Sequence, residues 1–528
     1  MGQQRLLLTS LIVCVFSIGL VGTAWAEVTV HTLFSDYAVL QRDRPVPVWG
    51  TASPGEVVTV EFNGESGSDT ADDRGNWIVV LDKMDASSDP GDMVITGNNV
   101  IIRTGMQVGE VWVGSGQSNM QRSLRDDCDA AAATADAANY NMRFFNVTAN
   151  GGNVSSTAWQ VSDVNSAPAM SAVHFYFGRH LAQNMPDVPI GLIASAVGAT
   201  AIERWATCAG SGKLYTGQIV PLQPYAIKGV TWYQGEWDAR GAQDSSKYYW
   251  QLPCLIDEWR NDWGQGVFPF YVVQMPKMGI SSIHIVRDAE LQTTLEDEKV
   301  EMIVTIDQPG NDVHPPCKAP FGIRLAMLAR KLEYGQPLVA RSPLYNAVSS
   351  YYVDNDTIGV VFDNVAGGLV SSDARPLAEW EIADASGSYV PANAVIVGTD
   401  TVEVSSPSIR NPVSVRYAFS TNPAANNLVN SAGLPASPIR EVAPGAIDPW
   451  CGDGNCDPGE NGCSCAFDCG APLSTETYCD DDVDDDCDGD VDCADSDCVS
   501  VCDCLVKHVS CAADSECCSN KCRGGKCR

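Results

Sequence analysis

The hydrophobic rhythm of the chain changes twice before its tail. From Val28 to about Gln107, apolar and polar residues alternate in short runs such as Val46-Pro47-Val48-Trp49, Val57 to Phe62 and Trp77 to Leu81. Gly, Pro and Asp turns separate these runs, which predicts a small β-sandwich over 27–107. From about Val108 to Ala340 the runs become solidly apolar, as in Ile190-Gly191-Leu192-Ile193, Gly229 to Tyr233, Phe270 to Val273 and Met302 to Ile306. Helical stretches intervene over 172–184 and 322–333, the second with Leu325, Leu328 and Leu332 on one face. Buried strands alternating with helices predict a mainly parallel sheet covered on both faces, in an α/β domain over 108–340. The β rhythm then returns, with Thr357 to Phe362 and Thr401 to Val404, and predicts a β-rich region over 341–445.

The two ends read differently. Arg5, an apolar run from Leu6 to Val21 and Ala24-Trp25-Ala26 predict a secretory signal peptide over 1–26. No later segment offers eighteen uncharged apolar residues, so no membrane span is expected. The expectation is an exported protein, secreted or at the cell surface. Sixteen of the 21 cysteines fall between Cys451 and Cys527, and Cys451 to Arg528 holds 19 acidic against 5 basic residues. An even, dense cysteine count in an exported chain predicts a disulfide-rich tail over 446–528. Within it Asp484, Asp486, Asp488, Asp492 and Asp495 stand at calcium-loop positions with Gly489 at the sixth and Asp490 beside it. That spacing makes the six aspartates a candidate site for a structural calcium ion. The tail's composition suggests attachment to a surface or matrix. A net charge of −33 argues against nucleic acid as a partner.

One stretch carries candidate chemistry. Val111 and Val113 alternate as in a buried strand, which breaks into Gly114-Ser115-Gly116 before Gln117-Ser118-Asn119. Small residues let the backbone turn at a strand's carboxyl end, where open α/β sheets bind ligands, so Ser118 is a candidate nucleophile. Met120 stands where the G-x-S-x-G elbow needs its second glycine, which disfavours the α/β-hydrolase superfamily. Of six histidines, His31 lies in the N-terminal β region and His508 in the tail. His174 and His180 ride on a predicted helix, and His284 is read as a loop residue. His314, within Asp312-Val313-His314-Pro315-Pro316, follows a buried strand and precedes a helix. Its imidazole suits a general base and acid near neutral pH. Polar turns also end two other strands, at Ser195 to Thr200 and at Gln234-Gly235-Glu236.

Together these segments resemble the sialate O-acetylesterase family of carbohydrate esterases, within the SGNH hydrolase superfamily. The matching motifs are Gly116-Gln117-Ser118-Asn119-Met120, Trp232-Tyr233-Gln234-Gly235-Glu236 and Asp312-Val313-His314-Pro315, with Lys318 and Gly322 to Ala326. The resemblance spans roughly residues 28 to 442 and implies an SGNH-type three-layer α/β/α domain flanked by the two β regions. It implies a serine esterase that removes O-acetyl groups from carbohydrates, sialic acids or acetylated polysaccharides, through an acetyl-enzyme and without a catalytic cofactor. By position, Ser118 would attack and His314 would take its proton. The Ser118 and Gly198 backbone N–H groups and the Gln234 side chain would hold the oxyanion, with Asn119 and Glu236 as further oxyanion or substrate-binding groups.

Two departures from the family pattern matter. Gly198-Ala199-Thr200 stands where relatives commonly carry two glycines, and Asn311 holds the position, three before the histidine, that usually carries the acid. Asp312 is then the first choice to orient His314, with Asp307 and Glu236 behind it and a backbone carbonyl as the remaining option. Trp112, Trp232 and Trp237 read as core, and Arg204, Arg287 and Arg324 as scaffold. The competing function is an inactive surface carbohydrate-binding or adhesion protein on an esterase scaffold, which intact Ser118, Gln234 and His314 oppose. A lipase-like esterase is opposed by the lack of an apolar lid.

Overall fold

A computed structural model describes residues 27–150, 153–155, 158–308 and 312–443. The segment 1–26, Asn311, the cysteine-rich tail and its aspartates Asp484 to Asp495 lie outside the described residues.

The architecture hangs on one strand, β1 (Val100–Gly116). Its first residues alternate in burial and pair with Ser87–Thr96, whereas Met106 to Gly116 are buried throughout. That second half sits in a parallel sheet with β2 (Met142–Asn146), β3 (Ile190–Ala196), β4 (Gly229–Tyr233), β5 (Phe270–Val273) and β6 (Val300–Ile303). The spatial order is β2-β3-β1-β4-β5-β6, with Gln160–Val161 antiparallel on the outer side of β2. The register sets Ala196 and Tyr233 level with Gly116, so three strands end at one rim.

Helices cover both faces, and strand parity shows which. The short α1 (Ser118–Gln121) is followed by α2 (Ala172–Asn184), α3 (Ala242–Trp263), α4 (Ile283–Glu296) and α5 (Ala319–Leu332). Trp112 meets Phe177 of α2 at 5.1 Å, and a Cβ on Gly114, two residues on, would lie 2.7 Å from His174 Nδ1. Trp232, level with Ser115 on the opposite face, meets Trp259 of α3 at 5.9 Å. α5 lies so close to α2 that a Cβ on Gly322 would come 2.4 Å from the Val173 carbonyl oxygen. On the other face α3 packs against α4.

Two β regions flank this domain. Thr29–Val30, Val46–Thr51 and Asn76–Leu81 form one N-terminal sheet, and Val57–Phe62, Glu65–Thr70 and Ser87–Thr96 join β1 in the other. Asn76–Leu81 alternates strictly, burying Trp77, Val79 and Leu81. Position 107/108 falls inside β1, and one apolar cluster runs from Val28 to Ala340. The C-terminal region has a sheet of Leu344–Asp354, Thr357–Asp363, Thr401–Ser405 and Asn393–Val397, and another around Trp380–Ala383, Ser414–Tyr417 and Ile439–Val442.

Two local expectations are corrected. Met302 to Ile306 is expected as one strand, but β6 ends at Ile303 while Val304 and Ile306 enter the C-terminal core. His284 is expected in a loop, but it lies in the first turn of α4, edge-on to Phe419 at 4.8 Å. Among the described residues, no helix is long and apolar enough to cross a membrane, and disulfides join Cys128 to Cys317 and Cys208 to Cys254.

Candidate active site

The sheet order reverses at β1, between β3 and β4, and this switch point is where α/β sheets bind ligands. Gly116 ends β1 at φ +135, and a Cβ there would lie 2.1 Å from the Tyr233 carbonyl oxygen. Only glycine permits that approach, which lets Gln117 donate its N–H to Tyr233 O at 3.0 Å and start α1 at Ser118. His314 Nε2 stands 2.8 Å from Ser118 Oγ across a sequence separation of 196 residues. That distance is within the reach a general base needs.

The His314 loop is held from several sides. Asn119, buried beside Ser118, donates from Nδ2 to the Val313 carbonyl at 2.8 Å. The Cys128–Cys317 disulfide and the Cys128 N–H to Pro316 carbonyl bond of 3.0 Å tie the loop to the segment after α1. The Lys318 N–H adds a bond of 2.6 Å to the Asp127 carboxylate.

The acids fall into other places. Asp312 Oδ1 accepts the His314 backbone N–H at 2.9 Å, so it shapes the loop rather than holding the ring. Both carboxylate oxygens of Asp307 are taken by the Arg324 guanidinium. Glu236 is buried and accepts from Asn119 Nδ2. Among the described residues, no carboxylate is hydrogen-bonded to His314 Nδ1. The arrangement in view is therefore a serine–histidine pair. Partial burial, followed by the charges of Arg122 and Lys318, lowers the His314 pKa, against a smaller opposing pull from Asp312.

Beneath the pair lies a buried polar cluster. Lys318 Nζ donates to Asn119 Oδ1 and lies over the rings of Tyr233 and Phe321, at 5.6 and 5.3 Å from their centroids. Burial pushes the Glu236 carboxyl up to about 7 and the Lys318 ammonium down to about 7. Gln234 is also buried, and its Nε2 faces three acceptors: Asp238 Oδ2, the Thr200 carbonyl at 2.9 Å and Gln117 Oε1 at 3.2 Å. In the free protein both amide hydrogens of Gln234 are thus engaged, and the side chain ties the β4 end to the β3 turn. In that turn the Gly198 N–H donates to Gln121 Oε1 at 2.8 Å. Ala199, the departure from two glycines, adopts φ +57, a left-handed conformation its methyl tolerates at some strain.

The sequence pattern gives no role to Gln117, Gln121, Arg122 or the Cys128–Cys317 bridge, and marks Lys318 only as part of a motif. Gln121, three positions after Ser118 and so on its face of α1, is the one that helical spacing alone could have found. Of the tryptophans read as core, Trp112 and Trp232 are buried, but Trp237 is 40% exposed with the Arg240 guanidinium 4.2 Å from its ring centroid. Arg324 is ion-paired in the scaffold, and buried Arg287 serves carbonyl groups.

Residues 108–330 match the family model described as carbohydrate esterase, sialic acid-specific acetylesterase. The sialate O-acetylesterase of Pongo abelii is 26% identical over 478 residues, covering 76% of this chain and 90% of that protein. The human protein of the same name is 27% identical over 369 residues, covering 56% of this chain and 69% of its own length. A carbohydrate acetylesterase from Xanthomonas citri, of known crystal structure, is 33% identical with a TM-score of 0.72, covering 78% of this chain and 99% of that one. The chain belongs to this family of carbohydrate esterases. It is a carboxylic ester hydrolase, and Ser118, Gly198, Gln234 and His314 all lie within the matched residues. The disulfides seen among the described residues fit an extracellular or lumenal protein.

Proposed function

We propose that the protein removes O-acetyl groups from carbohydrates through an acetyl-enzyme on Ser118. The observation that carries this reading is the 2.8 Å contact between Ser118 Oγ and His314 Nε2 at the switch point of the sheet. Ser118 Oγ attacks the acetyl carbonyl carbon while His314 Nε2 takes the hydroxyl proton. The carbonyl oxygen becomes an oxyanion held by the Ser118 and Gly198 N–H groups; one such donor is typically worth ~10²–10³ in turnover. As the tetrahedral adduct collapses, His314 returns the proton to the sugar oxygen, which leaves as an alcohol. Water then repeats the sequence against the acetyl-enzyme, releasing acetate and restoring the serine. The pair needs no carboxylate on Nδ1 to begin, because Asn119, the disulfide and Asp312 already fix the loop that presents the ring.

Export fits the N-terminal segment 1–26 and the disulfides, and the substrate is an acetylated glycan outside the cell or in a lumen. Arg122, a cation whose charge acts on His314, favours a sugar with a carboxylate, such as a sialic acid, over a neutral one. The first test is acetate release from acetylated sialic acid and acetylated xylan by the protein beside Ser118→Ala. Loss of activity by at least ~10³-fold in the folded variant, with acetyl label on Ser118 in the wild type, is expected. A folded wild type that releases no acetate from either would instead favour a binding protein on an esterase scaffold.

A further inference from the structure

The Gly198 N–H, which the proposed mechanism assigns to the oxyanion, already has an acceptor. Gln121 Oε1 accepts it at 2.8 Å, and because the partner is a backbone donor the atom in that place must be the amide oxygen. A Cβ built on Gly198 would lie 2.9 Å from Gln121 Oε1 and 3.3 Å from Ser118 Cβ, so Gln121 and Ser118 both pack against Gly198. Gln121 ends α1, one turn after Ser118, and its side chain is exposed. The turn it touches is closed without it. Val197 N–H bonds Gly116 O at 3.0 Å, Thr200 Oγ1 donates to the Val197 carbonyl at 2.8 Å, and Trp205 Nε1 donates to Thr200 Oγ1 at 3.0 Å.

We infer that Gln121 is a specificity-determining residue: its amide oxygen occupies the oxyanion donor in the free enzyme, and each productive substrate must displace it. Displacement frees an amide that needs a donor for its oxygen and an acceptor for its NH2 group. A sugar hydroxyl beside the scissile ester offers both. The ester of a phenol or simple alcohol offers no donor. Gln121 therefore taxes all esters but repays those of polyhydroxylated alcohols, which selects carbohydrate esters by a residue outside the nucleophile and base. This rests on the oxyanion role of Gly198 proposed above.

The test compares wild type, Gln121→Ala and Ser118→Ala on 4-nitrophenyl acetate and on a mono-O-acetylated methyl glycoside with a free neighbouring hydroxyl. In Gln121→Ala, kcat/KM for the aryl ester should rise roughly two- to tenfold, the range set by the net value of one hydrogen bond. For the sugar ester it should stay level or fall, so the sugar-to-aryl ratio drops. Gln121→Glu keeps the acceptor and adds negative charge where the oxyanion forms, so both substrates should slow at neutral pH. Equal losses on both esters in Gln121→Ala, or no change in the ratio, would overturn the inference. If Ser118→Ala remains active, the active-site reading itself has failed. If Ser118→Ala is dead and the Gln121→Ala ratio is unchanged, only the role of Gln121 has failed.

Discussion

Arg122 follows α1 with its backbone fixed: its N–H bonds Ser118 O at 2.8 Å, and its carbonyl accepts Ala172 N–H at 2.9 Å. The side chain carries no ion pair among the described residues, and its charge is one of the influences that lower the His314 pKa, after partial burial. A base must be neutral to accept the serine proton, so a lowered pKa keeps it competent further into acid. The acid limb of kcat/KM for the free enzyme should therefore lie below the ordinary histidine value of ~6.5. Removing the cation in Arg122→Gln should move that limb to higher pH. Removing the opposing charge in Asp312→Asn should move it to lower pH. A pH profile of acetate release reads both shifts, and a common direction for the two variants would mean that loop distortion, not charge, sets the limb. If Arg122 also meets a substrate carboxylate, Arg122→Gln should raise KM for an acetylated sialic acid more than for a neutral acetylated sugar.

At the scale of elements, the question is what holds the His314 loop at the end of β1. Asn119 joins three things: the Val313 carbonyl, the buried Glu236 carboxyl and the Lys318 ammonium. Asn119→Ala breaks all three contacts and frees Val313, one residue from the base. A misplacement of about 1 Å costs ~10²-fold, and that loss in kcat is expected, with little change in KM. Glu236→Gln keeps an acceptor for Asn119 and should retain most activity. Comparable kinetics of Asn119→Ala and wild type would remove the cluster from the account. The same scale shows what the sequence made legible. Strands β3, β4 and β5 and helix α2 announce themselves because most of their residues are both apolar and buried. α4 is hidden because Arg287, Asp288, Glu290, Gln292 and Thr293 are polar yet buried, which erases the apolar stripe that marks a helix. In the site, Ser118 and His314 were readable from turns at strand ends. Gln234 was legible as a residue but not as a geometry: only the fold shows Asp238, 4 positions on, and the Thr200 carbonyl claiming its donors. The Cys128–Cys317 pairing joins positions 189 residues apart, beyond the reach of any local pattern.

Across the whole molecule, the α/β domain and the C-terminal β region share more than a boundary. Leu291, Met302, Val304 and Ile306 enter the C-terminal core, and Gln274 Nε2 donates to Ser437 Oγ at 2.9 Å. The polar centre of the contact is Arg287, fully buried on α4. Its guanidinium donates to the carbonyls of Met275 at 2.7 Å and Pro276 at 2.7 Å on one side, and of Ser420 at 2.7 Å and Thr421 at 3.0 Å on the other. Burial lowers its pKa to about 10, still well above neutrality, so it remains a cation that four carbonyl dipoles solvate in place of water. Deleting it takes that donor from the Met275, Pro276 and Ser420 carbonyls, while Thr421 O keeps the Met278 N–H at 3.5 Å, and each buried unsatisfied group costs about 1–3 kcal/mol. Arg287→Ala should therefore destabilise the protein by several kcal/mol, about the upper end of single substitutions. The loss should be unevenly spread, because Arg287 anchors Ser420 and Thr421 of the C-terminal region whereas the central sheet has its own core. Hydrogen exchange should show the C-terminal strands opening first, while β1, β3 and β4 stay protected and the Ser118–His314 pair keeps its activity until they open. Uniform loss of protection across both regions would instead mean that the two unfold as a single cooperative unit, with the apolar bridge through Val304 and Ile306 enough to bind them.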